Sequence, residues 1–222
     1  MKNIHILWPT GRPQVCMNTF NHWYTTAFDK TKIKLYVAVN TEDDKKQFPE
    51  DWNVIVTGNV VGVTWHATKL SQNLIKNNDI PDDDIVILCS DDMWSPVNWD
   101  VILAMEFKDY NGCIVFSDFN TLNPIVTLPI MTINTLKQLK GYIYHPAYCH
   151  SYSDNELFNN LTEMDLLKDI RKTRPHLIFE HRHHGSGKRP FDIIDHAFLQ
   201  KTSSDEYIYN SRRVLSLEQR LT

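Results

Sequence analysis

The chain has 222 residues, 42% of them hydrophobic, which suffices for one substantial core and suits an ordinary globular domain. A formal charge of −4 and a pI near 6.2 argue against a protein that coats nucleic acid by bulk electrostatics, although basic residues gather late, from Arg171 to Arg213. Cys16, Cys89, Cys113 and Cys149 form no C-x-x-C pair, which argues against a zinc knuckle or a disulfide framework. No leader-like segment and no run of about 18 apolar residues occurs, so the expectation is a soluble, cytoplasmic protein.

Ile4–Trp8 reads as a first strand that empties into Pro9-Thr10-Gly11-Arg12-Pro13, a turn whose second proline suits the first position of a helix. Cys16, Phe20, Trp23 and Ala27 then recur at helical spacing. Strands are predicted at Ile33–Val39 and Val54–Val56, and a helix from Trp65 to Lys76 with Leu70 and Leu74 on one face. Ile85–Cys89 is a continuous apolar run, as expected of a strand covered on both faces, and it leads directly into Asp91 and Asp92. Alternation of strands and helices with short connections predicts a mostly parallel α/β sheet.

Farther along, Trp99–Phe107 looks helical and Cys113–Phe116 extended; Ile125–Ile133 reads as a strand confined to irregular or edge positions by Pro124 and Pro129. Ser153 with Glu156 three residues on is a helix-start signature, and Leu161–Ile170 continues as a second helical piece. Pro175–Glu180 is the last predicted strand, followed by His181-Arg182-His183-His184, then Gly185-Ser186-Gly187 with Lys188 and Arg189. From Phe191 onward a C-terminal helix and tail are expected.

Two clusters stand where strands of open α/β sheets deliver functional groups, at their carboxyl ends. Asp91 and Asp92 repel each other unless one takes a proton or a cation holds them, and hard oxygen ligands favour Mg²⁺ or Mn²⁺. The plainer reading is a helix cap by Asp92 or Ser95. His181 and His183 alternate on an extended segment and can face the same way, and imidazole with carboxylate is a common divalent-metal set; an ordinary surface loop is the competing reading. The Pro9–Pro13 turn offers a helix N-terminus to an anion, with Arg12 adding charge, but lacks the P-loop lysine and the three glycines of a dinucleotide fingerprint. Lys69 and Asn73, one turn apart, are either a solvated helix flank or contacts to a pyrophosphate or ribose. Asp154 and Glu156 follow a Tyr/His-rich loop, an arrangement that suits either a capping box or a general base beside a sugar or base.

Taken in order, these features resemble a nucleotide-sugar glycosyltransferase of the GT-A fold, similar to glycosyltransferase family 2, over roughly residues 3–190. The resemblance implies a GT-A-like (Rossmann-like) mostly parallel sheet flanked by helices, with a small antiparallel element in the C-terminal half. Residues 1–190 would form one catalytic domain, with 1–100 binding nucleotide and 101–190 binding acceptor; 191–222 would follow as helix and tail. Pro9, Thr10, Arg12, Asn40, Lys69, Asn73, Asp91 and Lys188 would contact the nucleotide-sugar. Ser90-Asp91-Asp92 resembles the D-x-D motif with serine in place of its first acid. Asp92 with His181 or His183 would hold Mn²⁺ or Mg²⁺, and Asp154, with Glu156 as the fallback, would be the base of an inverting transfer. Lys188 or Arg189 would close over the phosphates on the glycine-flanked loop. DNA with hydroxylated bases, saccharide, protein and lipid-linked acceptors all remain open. A metal-dependent nucleotidyltransferase or a non-catalytic nucleotide-binding protein would share the α/β half and the acid pair.

Overall fold

Six consecutive buried residues, Ile4–Pro9, form the first strand, β1, and Pro13 opens helix α1 (Pro13–Thr26) as its first residue. The structure is a computed structural model that describes residues 2–58, 62–76, 79–119, 122–184 and 187–222. After a single 3₁₀ turn come β2 (Ile33–Val39), α2 (Glu42–Lys45), β3 (Asn53–Val56), α3 (Val63–Ile75), β4 (Ile85–Leu88), β5 (Met93–Trp94) and α4 (Trp99–Glu106). The second half holds β6 (Cys113–Val115), β7 (Ile130–Thr132), α5 (Ile133–Gln138), α6 (Ser153–Glu163), β8 (Leu167–Asp169) and β9 (Glu180–His181). Three helices finish the chain: α7 (Ile193–Leu199), α8 (Thr202–Arg212) and α9 (Leu217–Arg220).

The main sheet has the order β3-β2-β1-β4-β7-β6-β8. Its first four strands are parallel, β7 runs antiparallel to β4 and β6, and β8 is parallel to β6. A two-stranded antiparallel ribbon, β5 with β9, stands apart from it. The predicted mostly parallel sheet with a small antiparallel element is therefore the architecture observed. Alternate residues of the central strands feed two cores. Ile4, Ile6 and Trp8 with Ile85 and Ile87 pack under α1 and α4, while Leu7 with Val86 and Leu88 packs under α3, α5 and α6. Each such side chain contributes about 1.5–3 kcal/mol by leaving water, so both faces of β1 and β4 are fixed strongly.

Three predicted elements differ. Helix α6 stops at Glu163 and Asp165 turns with a φ of 56°, so the helical-looking Leu161–Ile170 stretch contains strand β8 instead. Only Ile130–Thr132 of the predicted Ile125–Ile133 strand is extended, because Thr132 caps α5 by accepting from the Thr135 N–H. The final strand is shorter than predicted: Ile178 makes one isolated bridge to Ser117, and β9 holds two residues. The C-terminal segment is no free tail. Arg212 forks onto Glu156 of α6, and Leu221 is buried in the core.

Candidate active site

Parallel strands β1, β2 and β4 end side by side, and the loops leaving them wall an open cleft of about 1470 Å³. Asp91 and Asp92 leave β4 into it with unlike surroundings. Asp91 is buried and accepts from Trp8 Nε1 and the Thr10 hydroxyl, both at 2.9 Å. Burial pushes its carboxyl up to about 6 in spite of those donors. Asp92 accepts from the Ser90 hydroxyl at 2.7 Å and lies 3.4 Å from both His181 Nε2 and Arg189 Nε. Burial alone would raise Asp92, yet His181, Ser90 and Arg189 together hold it well below the usual carboxylate range. Buried tryptophans fix this turn onto α1, since Trp23 Nε1 donates to Met93 O and Trp99 Nε1 to Trp23 O, each at 2.8 Å.

His181 reaches Asp92 because β9 pairs with β5, Met93 opposite His181. The His183 ring lies 5.2 Å from that of His181, and burial with the neighbouring histidines lowers it to about 4. Among the described residues no group of three or more His, Cys, Asp or Glu side chains that could hold an ion is found; Asp92 lies beside His181, with the His183 ring next to that of His181. The Asp92–His181 pair supplies two donors. That donor set fits a Mg²⁺ or Mn²⁺ that takes its remaining ligands from phosphates and water.

Across the cleft, α6 begins at Ser153 after Tyr152, whose φ of 63° replaces the predicted Ser153 cap; the Ser153 hydroxyl donates instead to His150 O. Asp154 in this first turn lines the cleft, and burial lifts it to about 6 against the Asn155 N–H and nearby His181. Glu156 is turned away from the cleft. Its carboxylate takes the Tyr148 hydroxyl at 2.7 Å and the Arg212 fork, which removes it as a base. The loop before α6 is clamped from α8, where Asp205 accepts from the N–H groups of Cys149, His150 and Ser151, each at 2.8 Å. His150 thereby faces the cleft, lowered by burial while Asp205, Asp92 and Asp195 pull the other way.

At the opposite rim, Arg12 binds Asp192 through two bonds of 2.7 and 2.9 Å and reaches Asp195 at 3.3 Å. Arg189 forks onto Asp195 at 2.6 and 2.7 Å. The N-terminal end of α7 is thus tied across the Pro9–Pro13 turn, with Ile194 packed close to Gly11.

Neither a family model nor a curated protein matches the chain by sequence. Solved structures do match. S. aureus TarS residues 1–349, in complex with UDP-GlcNAc, superposes with a TM-score of 0.55 at 14% identity over 77% of this chain and 56% of that one. Mannosyltransferase PcManGT from Pyrobaculum calidifontis, in complex with GDP-Man and Mn²⁺, gives 0.55 at 12% over 76% and 54%. The fold is that of a GT-A-like glycosyltransferase. The chain spans about half the length of those two proteins.

The GT-A-like cleft is lined by Pro9, Thr10, Arg12, Asn40, Asp91, Asp92, Asp154, His181 and His183, all named from the sequence. Lys69 and Asn73 are not among its lining residues. Only the start of α3, through Gly62, Val63 and His66, reaches it; Lys69 packs over the Trp65 ring at 4.3 Å, and Asn73 is exposed about two turns beyond His66. Lys188 is drawn to Glu180 at 2.9 Å, leaving Arg189 as the cation of that loop in the cleft. Gly185 and Ser186 of the predicted lid lie outside the described residues. Asp118, His150 and Asp195 also line the cleft and were not singled out by sequence. Asp118 carried the same signal as Asp91, an acid just past an apolar strand; Asp195 carried none.

Proposed function

We propose that the protein is a glycosyltransferase that moves a sugar from a nucleoside-diphosphate sugar to an acceptor hydroxyl, with inversion. The observation that carries this reading is the convergence in one cleft of Asp92 beside His181, the two arginines Arg12 and Arg189, and Asp154 with its carboxyl raised to about 6. The nucleoside would lie along the ends of β1 and β2, against Thr10 and Asn40, with its diphosphate near the N-terminus of α1 and Arg12. Asp92 and His181 would hold Mn²⁺ or Mg²⁺, whose positive charge would face the diphosphate. Arg12 and Arg189 add positive charge where the leaving nucleoside diphosphate gains negative charge. Asp154 accepts the proton of the acceptor hydroxyl as that oxygen attacks the anomeric carbon and the bond to the diphosphate breaks.

Beside the cleft, Phe119 is 64% exposed with Lys188 stacked 5.1 Å from its ring, and Ile193 at the rim is 84% exposed. An exposed aromatic side chain at the rim suits a planar acceptor that can stack on it, and a hydroxylated base in DNA is planar. Activity on saccharides with none on such DNA would contradict this choice of acceptor. The donor reading is tested by incubating the protein with a panel of nucleotide-sugars and Mn²⁺. Release of nucleoside diphosphate from one donor, abolished by Asp92→Ala in a folded protein, is the expected result; release of pyrophosphate would identify a nucleotidyltransferase instead.

A further inference from the structure

Arg12 stands where β1 turns into α1, and its backbone is fixed there. Its N–H donates to the Thr10 hydroxyl at 2.8 Å, and its C=O accepts from the Cys16 N–H at 3.0 Å. The side chain does not cap α1 but crosses to the start of α7, 180 residues away in sequence. There Nε donates to Asp192 Oδ2 at 2.7 Å and Nη2 to Asp192 Oδ1 at 2.9 Å. Two parallel bonds hold the guanidinium plane in one orientation, which a single contact to so long a side chain would not. Nη2 also reaches Asp195 Oδ1 at 3.3 Å, so its second proton is taken as well. Nη1 differs. It makes no hydrogen bond to the described residues and lies 3.9 Å from Asp91 Oδ2, an oxygen already bonded to the Thr10 hydroxyl. Arg12 lines the cleft with its side chain 18% exposed, so the two N–H groups of Nη1 are left for an anionic oxygen there. Asp192 itself is 39% exposed at the rim, where water screens its charge from the cleft.

We infer that Asp192 is a positioning residue: by taking Nε and Nη2 it holds Arg12 with Nη1 turned to donate to a diphosphate oxygen of the donor. The inference rests on the donor reading above. An arginine ordered beforehand loses little side-chain freedom when the nucleotide arrives, whereas a loose one loses it then and binds more weakly.

Asp192 has a second task, and two variants separate it from the first. Its Oδ1 accepts from the N–H groups of Ile194 and Asp195 at 2.9 and 3.0 Å, which starts α7. Asp192→Asn keeps that oxygen but sets an amide donor against Arg12 Nε; Asp192→Glu keeps a carboxylate for the fork and is a poor cap. The test is calorimetric titration of UDP and GDP, with Mn²⁺, into wild type and both variants. Asp192→Asn is expected to weaken the nucleotide that binds by about 2- to 10-fold, and Asp192→Glu to restore near wild-type binding. Should Asp192→Asn fail to fold, Arg12→Lys, which keeps the charge but cannot form the fork, should show the same loss. Unchanged or tighter binding by Asp192→Asn would overturn the assignment, tighter binding marking the carboxylate as a competitor of the diphosphate. So would wild-type binding by Asp192→Asn with a loss in Asp192→Glu, the pattern of a helix cap alone. Absence of binding of either nucleotide by the wild-type protein would overturn the donor reading, and this assignment with it.

Discussion

Asp154 and Asp91 both carry carboxyl groups lifted to about 6, and replacing each has a different expected consequence. As the proposed base, Asp154 must be ionised, so kcat/KM should rise as the pH passes upward through about 6 and level off above it. Asp154→Asn should lower kcat by about 10²- to 10⁴-fold and remove that limb while leaving donor affinity intact, as steady-state kinetics across pH 4.5–8 would report. Asp91 instead braces the end of β1. Asp91→Ala leaves Trp8 Nε1 and the Thr10 hydroxyl without their acceptor, a loss of about 1–3 kcal/mol in urea unfolding. The sign of its pH dependence follows from the raised value. Stability tied to the protonated acid is complete below the ordinary 3.8 and is lost as the pH rises through about 6. The stability difference between wild type and Asp91→Asn should therefore fall between pH 4 and 6, and a flat difference would contradict the raised carboxyl.

At the scale of elements, the loop 149–151 matters because it presents His150 to the cleft and is clamped from two sides. Asp205 of α8 holds its three N–H groups, and Gly62, at the start of α3, packs against the Cys149 backbone. Gly62 has a φ of 116° and a ψ of 155°, a conformation essentially reserved for glycine, and a Cβ there would collide with Cys149 O. Gly62→Ala should cost about 1–3 kcal/mol from backbone strain alone and raise the donor KM by displacing the first turn of α3; unchanged unfolding and kinetics would contradict this packing. The same elements explain what sequence could and could not disclose. β1 and β4 were legible because strands buried on both faces are apolar throughout. β8 was not, because Leu161, Leu166, Leu167 and Ile170 fit a helical spacing as well as a short strand. β5 and β9 hold two residues each, too few for any period, although their pairing is what carries His181 to Asp92.

For the molecule as a whole, the sheet order places β1, β2 and β4 side by side, so the acid pair and the Pro9–Pro13 turn share one edge of the cleft. That neighbourhood was readable from strand ends alone. The ion pairs of Arg12 and Arg189 with α7 were not, since Arg12 and Asp192 are 180 residues apart and no local pattern joins them. Among the described residues no helix is long and apolar enough to cross a membrane. The central claim is that Asp92 and His181 organise a nucleoside-diphosphate site in this cleft. Calorimetric titration of UDP and GDP, with and without Mn²⁺, into the wild-type protein and Asp92→Ala tests it most directly. The account predicts binding of one nucleotide that requires Mn²⁺ and weakens by about 10- to 100-fold in the variant; equal binding by both proteins, or none by either, would contradict it.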